Sequence, residues 1–109
     1  MKNKIEEFSN IKFEIEELLP AIRASITKIL TKKYKLKQER VAVMLGLTQA
    51  AISKYLNNDY SKKVKNIESK FNKNMVNELV KNIIEGRKNK AKAIVCKICK
   101  KSYLYSKRI

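Results

Sequence analysis

The stretch LKQERVAVMLGLTQAAISKYLNN, residues 36–58, has a spacing that decides the fold. Two short helices crossing at a steep angle need a small residue where they come closest, and Ala42 stands there. Four residues later the chain must turn back with positive φ, which glycine adopts without steric penalty, and Gly46 holds that place. Val41 and Leu45 give the first helix its apolar face, Leu47 fills the turn, and Ile52 with Tyr55 or Leu56 anchors the second helix. Thr48 is the expected N-cap of that second helix, its hydroxyl accepting a first-turn N–H and leaving Gln49 and Ala50 at an exposed end. Alanine and glycine are common, so one such match is weak. Agreement of all these positions in one register makes a helix-turn-helix the expectation.

Composition points the same way. A chain of 109 residues suffices for one modest domain, and two glycines and one proline leave few turn signals, which favours an all-α fold. Against 10 acidic residues stand 26 basic ones, a net charge of +16, and a field of that sign draws polyanions, nucleic acid first among them. The excess is uneven: residues 1–60 hold 11 basic and 7 acidic side chains, whereas residues 61–109 hold 15 and 3. No apolar run approaches a membrane span and the amino terminus lacks a signal-peptide core, so a cytoplasmic protein without membrane association is expected. Two cysteines and no histidine leave little scope for acid-base catalysis, and neither enzymatic activity nor a cofactor is expected.

Around the motif, Ile5, Phe8, Ile11, Ile15 and Leu18 suggest an acidic, amphipathic lead-in helix over residues 1–17. Leu19, Ile22, Ile26, Ile29 and Leu30 predict a second helix from Leu19 to Lys33, with Pro20 in its first turn. After the turn-forming Asn57-Asn58-Asp59, Ser61 is a candidate cap for one helix to Gly86, striped by Val64, Ile67, Phe71, Met75, Leu79 and Ile83. The sequence thus divides into a DNA-binding part over 1–60 with its motif at 37–56, an amphipathic helix over 61–86, and a basic tail over 87–109. The stripe of the 61–86 helix either closes the core of its own chain or pairs two copies, and a homodimer is the expectation.

The residues Leu36, Lys37, Gln38, Val41, Ala42, Leu45, Gly46, Leu47, Thr48, Gln49, Ile52, Ser53, Tyr55 and Leu56 resemble the helix-turn-helix of the Cro and phage-repressor (XRE) superfamily. That pattern runs L-T-Q-x-x-L-A-x-x-L-G-[VL]-[ST]-Q-x-x-[IV]-S-x-[YIL]-[LE]. Lys37 and Val41 depart from it without threatening the fold. More narrowly, LLPAIRASITKIL, TQAAISKYL and a late Cys-x-x-Cys resemble a group of small archaeal transcriptional regulators. The resemblance implies a lambda-repressor-like bundle, here with an additional long C-terminal helix and basic tail. It also implies a transcriptional regulator binding double-stranded DNA in a sequence-specific way, with the helix starting at Thr48 in the major groove. In that group a ligand-binding domain is sometimes attached, and this chain is too short to contain one, so no small-molecule ligand is expected. A DNA-binding antitoxin and a basic architectural nucleic-acid-binding protein are the alternatives.

By position in the pattern, Gln38 donates to phosphate and braces Gln49, whose amide suits adenine N6 and N7. Ala50 or Ala51 suits the thymine methyl, while Ser53 and Lys54 face a base edge or the backbone. Asn57, Asn58, Tyr60, Lys62 and Lys63 lie where the following loop meets phosphate. Cys96 and Cys99 fit three readings: free thiols buried near Ile94, Val95 and Ile98, a redox-sensitive disulfide, or half of a four-thiolate metal site shared between two subunits.

Overall fold

Leu18, Ile22, Ile26 and Leu30 recur every four residues and stack on one side of a single long helix, α1 (Lys4–Lys32). The computed structural model describes the backbone of residues 4–108 and the side chains of residues 17–98. Every regular element among them is helical: α2 (Gln38–Leu45), α3 (Gln49–Leu56), α4 (Lys62–Ser69), α5 (Lys73–Ile84) and α6 (Lys88–Arg108) follow. α1 packs against all five, α2 against α3, and α5 against α6. The core joins the α1 stripe to Val41 and Ala42, Ile52, Leu79 and Val80, and Ile98. Five of the helices therefore close on the first, and α3 is seated by its buried face with its opposite face outward.

Three sequence expectations change. The lead-in helix and the helix from Leu19 are one element, with Pro20 inside it. Proline lacks the N–H that would bond the carbonyl one turn back, but Leu18 before it and Ile22 after it are both buried, so packing carries the helix across the missing bond. The core-facing residue there is Leu18, one helical step from the expected Leu19, which is exposed. The side chains of Ile5, Phe8, Ile11 and Ile15 lie outside the described residues.

The single helix expected over 61–86 is two. Ser61 caps α4 as expected, accepting from Val64 N at 3.2 Å. A second cap follows at Asn72, whose Oδ1 accepts from Asn74 N at 2.9 Å and Met75 N at 3.2 Å. An asparagine that satisfies two first-turn donors restarts the helix. Phe71 packs on the core across the break, which is why the apolar period runs through it unbroken. The basic tail is also more regular than its composition suggests. Ala91, Ile94, Val95 and Ile98 lay α6 on the core, and Cys96 falls off that stripe as an exposed free thiol, not a buried one. The Cys99 side chain lies outside the described residues. Among those that are described, no group of three or more metal-ligating side chains occurs.

Helices α1, α2, α3 and α5 each end near a left-handed residue: Lys35 (φ 57°), Gly46 (φ 66°), Asn58 (φ 56°) and Gly86 (φ 74°). At the end of α2, Leu47 N reaches back to Ala42 O at 2.9 Å and Gly46 N to Val43 O at 3.3 Å, the six-to-one and inner bonds of a Schellman cap. A Cβ at Gly46 would meet nothing within 4 Å, so the glycine is required by its dihedral and not by space. Gly46→Ala should therefore cost about 1–2 kcal/mol from backbone strain alone. Lys35→Gly, which removes the same strain at the entropic cost of a glycine, should be neutral to stabilising, by up to about 1 kcal/mol. Urea unfolding of both variants checks the opposite signs.

Candidate nucleic-acid interface

The turn between α2 and α3 is fixed by backbone and cap bonds together. Leu47 N donates to Ala42 O at 2.9 Å, Gly46 takes the left-handed conformation, and Thr48 sits extended at the N-cap of α3 (φ −79°, ψ 157°). Its Oγ1 accepts from Ala51 N at 3.1 Å. Val41 and Ile52 are fully buried and Ala42 nearly so, while Leu45, Leu47 and Leu56 pack on the core from the side. α2 starts without a side-chain cap at Lys37, one of the two positions where the sequence departs from the pattern it resembles.

Burying Ile52 turns the other face of α3 outward. Gln49, Ala50, Lys54 and Asn57 are exposed and Ser53 half-buried, and at 100° per residue these five share one face. Ala51 lies on its flank, half-buried. Asn57 Nδ2 reaches Ser53 Oγ at 3.4 Å, a long contact that leaves both groups available to other partners. Gln38, at the first position of α2, is exposed, and no hydrogen bond joins it to Gln49 among the described residues. Tyr55 does not join the core. Its ring meets Tyr60 edge-on, with centroids 5.8 Å apart and planes at 70°, so the last apolar anchor of α3 is Leu56.

The loop after α3 is held by a network that sequence reasoning missed. Lys28 Nζ, from α1, donates to Asn58 Oδ1 at 2.6 Å, to Tyr60 OH at 2.6 Å and to Glu68 Oε2 at 3.0 Å. Tyr60 OH donates to Glu68 Oε1, and Lys65 stands over the Tyr60 ring at 5.7 Å. Burial pushes the Lys28 ammonium down, but the bonds to Tyr60 and Glu68 outweigh it and its pKa stands above that of an ordinary lysine. Burial and the bond to Glu68 raise the Tyr60 hydroxyl against the opposing pull of Lys28. One ammonium thus ties α1, the 57–61 loop and the end of α4 together. The available sign was Lys28 itself, a cation set among Ile26, Thr27, Ile29 and Leu30 on a helix otherwise given to the core.

The network divides the loop residues expected at phosphate. Asn58 and Tyr60 turn their polar atoms inward to Lys28, and Lys63 pairs with Glu17 at 3.3 Å. Asn57 and Lys62 remain exposed, beside the outward face of α3 in sequence.

Residues 26–69 match the family model described as helix-turn-helix. The match names no narrower group. No curated protein and no solved structure matches the chain. Within 26–69 the chain carries 10 basic and 3 acidic side chains, and Glu68, one of the three, is already neutralised by Lys28.

Proposed function

We infer, from the match of residues 26–69 to the helix-turn-helix family model and from the motif's resemblance to the Cro and phage-repressor pattern, that this chain regulates transcription by reading a defined duplex sequence with α3. The observation that carries the inference is the outward face of that helix. Gln49, Ala50, Ser53, Lys54 and Asn57 form a polar face on a helix whose other side is pinned by Ile52, inside a segment of strong positive charge. Such a helix enters the major groove with its N-terminal residues at base edges. Gln49 pairs with adenine through N6 and N7, Ala50 meets a thymine methyl, and Lys54 donates to guanine or phosphate. Thr48 sets where the helix begins, and Gln38, Asn57 and Lys62 hold the register on the backbone. Ala51, on the flank, serves the helix more than the base pairs.

The long C-terminal helix adds positive charge that attracts DNA of any sequence. Two copies binding a near-palindrome would place their α3 helices about one helical turn, ~34 Å, apart. The stripe of Met75, Leu79, Val80 and Ile83 is spent on the chain's own core, so such a homodimer rests on other residues. Leu19 and Ile84 are exposed apolar side chains of α1 and α5.

Gln49→Ala should relax preference at one base pair by about 1–3 kcal/mol. Lys54→Ala should instead lower affinity on all duplexes and reduce the salt dependence by about one phosphate's worth. Fluorescence anisotropy on the preferred site and its single-base variants distinguishes the two. Equal loss on every sequence for Gln49→Ala would remove its base-reading role.

A further inference from the structure

A cleft of about 540 Å³ opens between α1, α4 and the start of α5, behind the loop that follows α3. Ile29, Phe71 and Val76 give it an apolar wall; Val76 is buried and the other two pack partly buried against the core. Lys65 and Lys73 line it as well, and neither forms an ion pair with a carboxylate among the described residues. The one carboxylate in the lining is Glu68, and it is engaged by Lys28 and by Tyr60. The cleft therefore combines an apolar side with two uncompensated cations, at a volume within the range of small-molecule sites.

Its position matters as much as its chemistry. Lys28, Asn58 and Glu68, three of the four members of the network that holds the 57–61 loop, also line this cleft. We propose that the cleft binds a small organic anion with an apolar body, of the class of one-ring carboxylic acids, and that occupancy changes DNA binding through the Lys28 network. The carboxylate meets Lys65 and Lys73 and the ring lies against Phe71, Ile29 and Val76. Lys65 now stands over the Tyr60 ring, and drawing it to the ligand alters the charge around that ring. Lys28 and Asn58 share the lining, so a change at the Tyr60 ring acts on the network and on the loop next to the DNA-facing side of α3.

The coupling rests on the DNA-binding reading, whereas ligand binding does not, and the two are measured separately. Benzoate is titrated into the full chain without DNA, and amide and methyl NMR shifts are followed at Ile29, Phe71 and Val76. Inorganic phosphate and benzyl alcohol are the controls for charge alone and for the ring alone. The expected result is saturable one-to-one binding of benzoate at those residues, with neither control saturating there. In Lys65→Met/Lys73→Met, which removes two exposed lysines and leaves the core untouched, affinity should fall about ten-fold or more. Shifts that grow linearly without saturation, equal binding of either control, or undiminished binding by the double variant would overturn the site. Saturating benzoate should then change affinity for the preferred duplex by about five-fold or more, and DNA should change benzoate affinity by the same factor. An unchanged duplex affinity at saturation would overturn the coupling. A chain that binds benzoate but no duplex would lose the DNA reading and keep the site.

Discussion

Ile52→Ala should lower the unfolding free energy by about 2–5 kcal/mol, measured by urea unfolding, and should abolish DNA binding along with the fold near the transition. Ile52 has no exposed surface, and it sits on the helix that packs against both α1 and α2. Truncation removes three carbons from the core cluster that Ile52 shares with Leu30 and Val41, themselves fully buried, so the space left cannot readily collapse. A domain of this size typically has about 5–15 kcal/mol of stability in all, so the loss is a large fraction of the whole. Ile52→Val, which keeps the branch and loses one methyl group, should cost about 0.5–1.5 kcal/mol and leave DNA affinity near that of the parent. A cost below about 1 kcal/mol for the alanine variant would mean that α3 is not seated by this side chain. The outward face would then have no fixed direction.

Lys28→Met should cost about 1–3 kcal/mol and weaken DNA binding beyond what the stability loss explains. The methionine keeps the apolar stem and removes the ammonium, leaving Asn58, Tyr60 and Glu68 without their shared donor. Lys28 and Glu68 are 22% and 15% exposed at the side chain, so the value lies below that of a fully buried pair. Lys28→Met/Glu68→Gln should recover part of the loss, since it removes the stranded carboxylate as well. The network also sets an alkaline limit. Lys28 and Tyr60 both hold their protons more tightly in the folded chain than their ordinary values of 10.5 and 10.0. Their contribution is therefore complete below pH 10.0 and is lost as pH rises through the folded values, above 10.5. Stability of the parent chain should fall over that window, and Lys28→Met should fall less. Parallel curves for the two proteins would show that the ammonium contributes nothing there.

The helix-turn-helix was legible because its constraints are local. A small residue at Ala42, a left-handed turn at Gly46, a cap at Thr48 and a buried Ile52 are each fixed within a few residues of the next, and the structure holds each as expected. Element boundaries were legible only where local chemistry and packing agreed. Pro20 is a start signal for a helix, and burial on both sides of it overrode that signal. Asn72 is as good a cap as Ser61, but the apolar period passing through Phe71 concealed it. Apolar period alone assigned Leu18 to the lead-in stripe and Leu19 to the next helix, although 18, 22, 26 and 30 make one four-residue ladder.

The Lys28 network was not legible, because its partners are separated by up to 40 residues and each is an ordinary polar residue in its own neighbourhood. The outward residues of α3 could be named from sequence, since helical geometry places them once Ile52 is inside. The loop could not be divided in that way. Which of Asn57, Asn58, Tyr60, Lys62 and Lys63 turn inward depends on where α1 and α4 bring Lys28, Glu17 and Glu68.

Selection of bound duplexes from a random pool at physiological salt bears on the central claim most directly. A chain that reads DNA through Gln49, Ala50 and Lys54 enriches one short motif containing an A·T step, and Gln49→Ala loses the preference at that step while keeping the rest. A pool that emerges with no enriched sequence, or in which unrelated duplex and RNA compete equally well, would contradict sequence-specific reading and leave charge alone as the basis of binding.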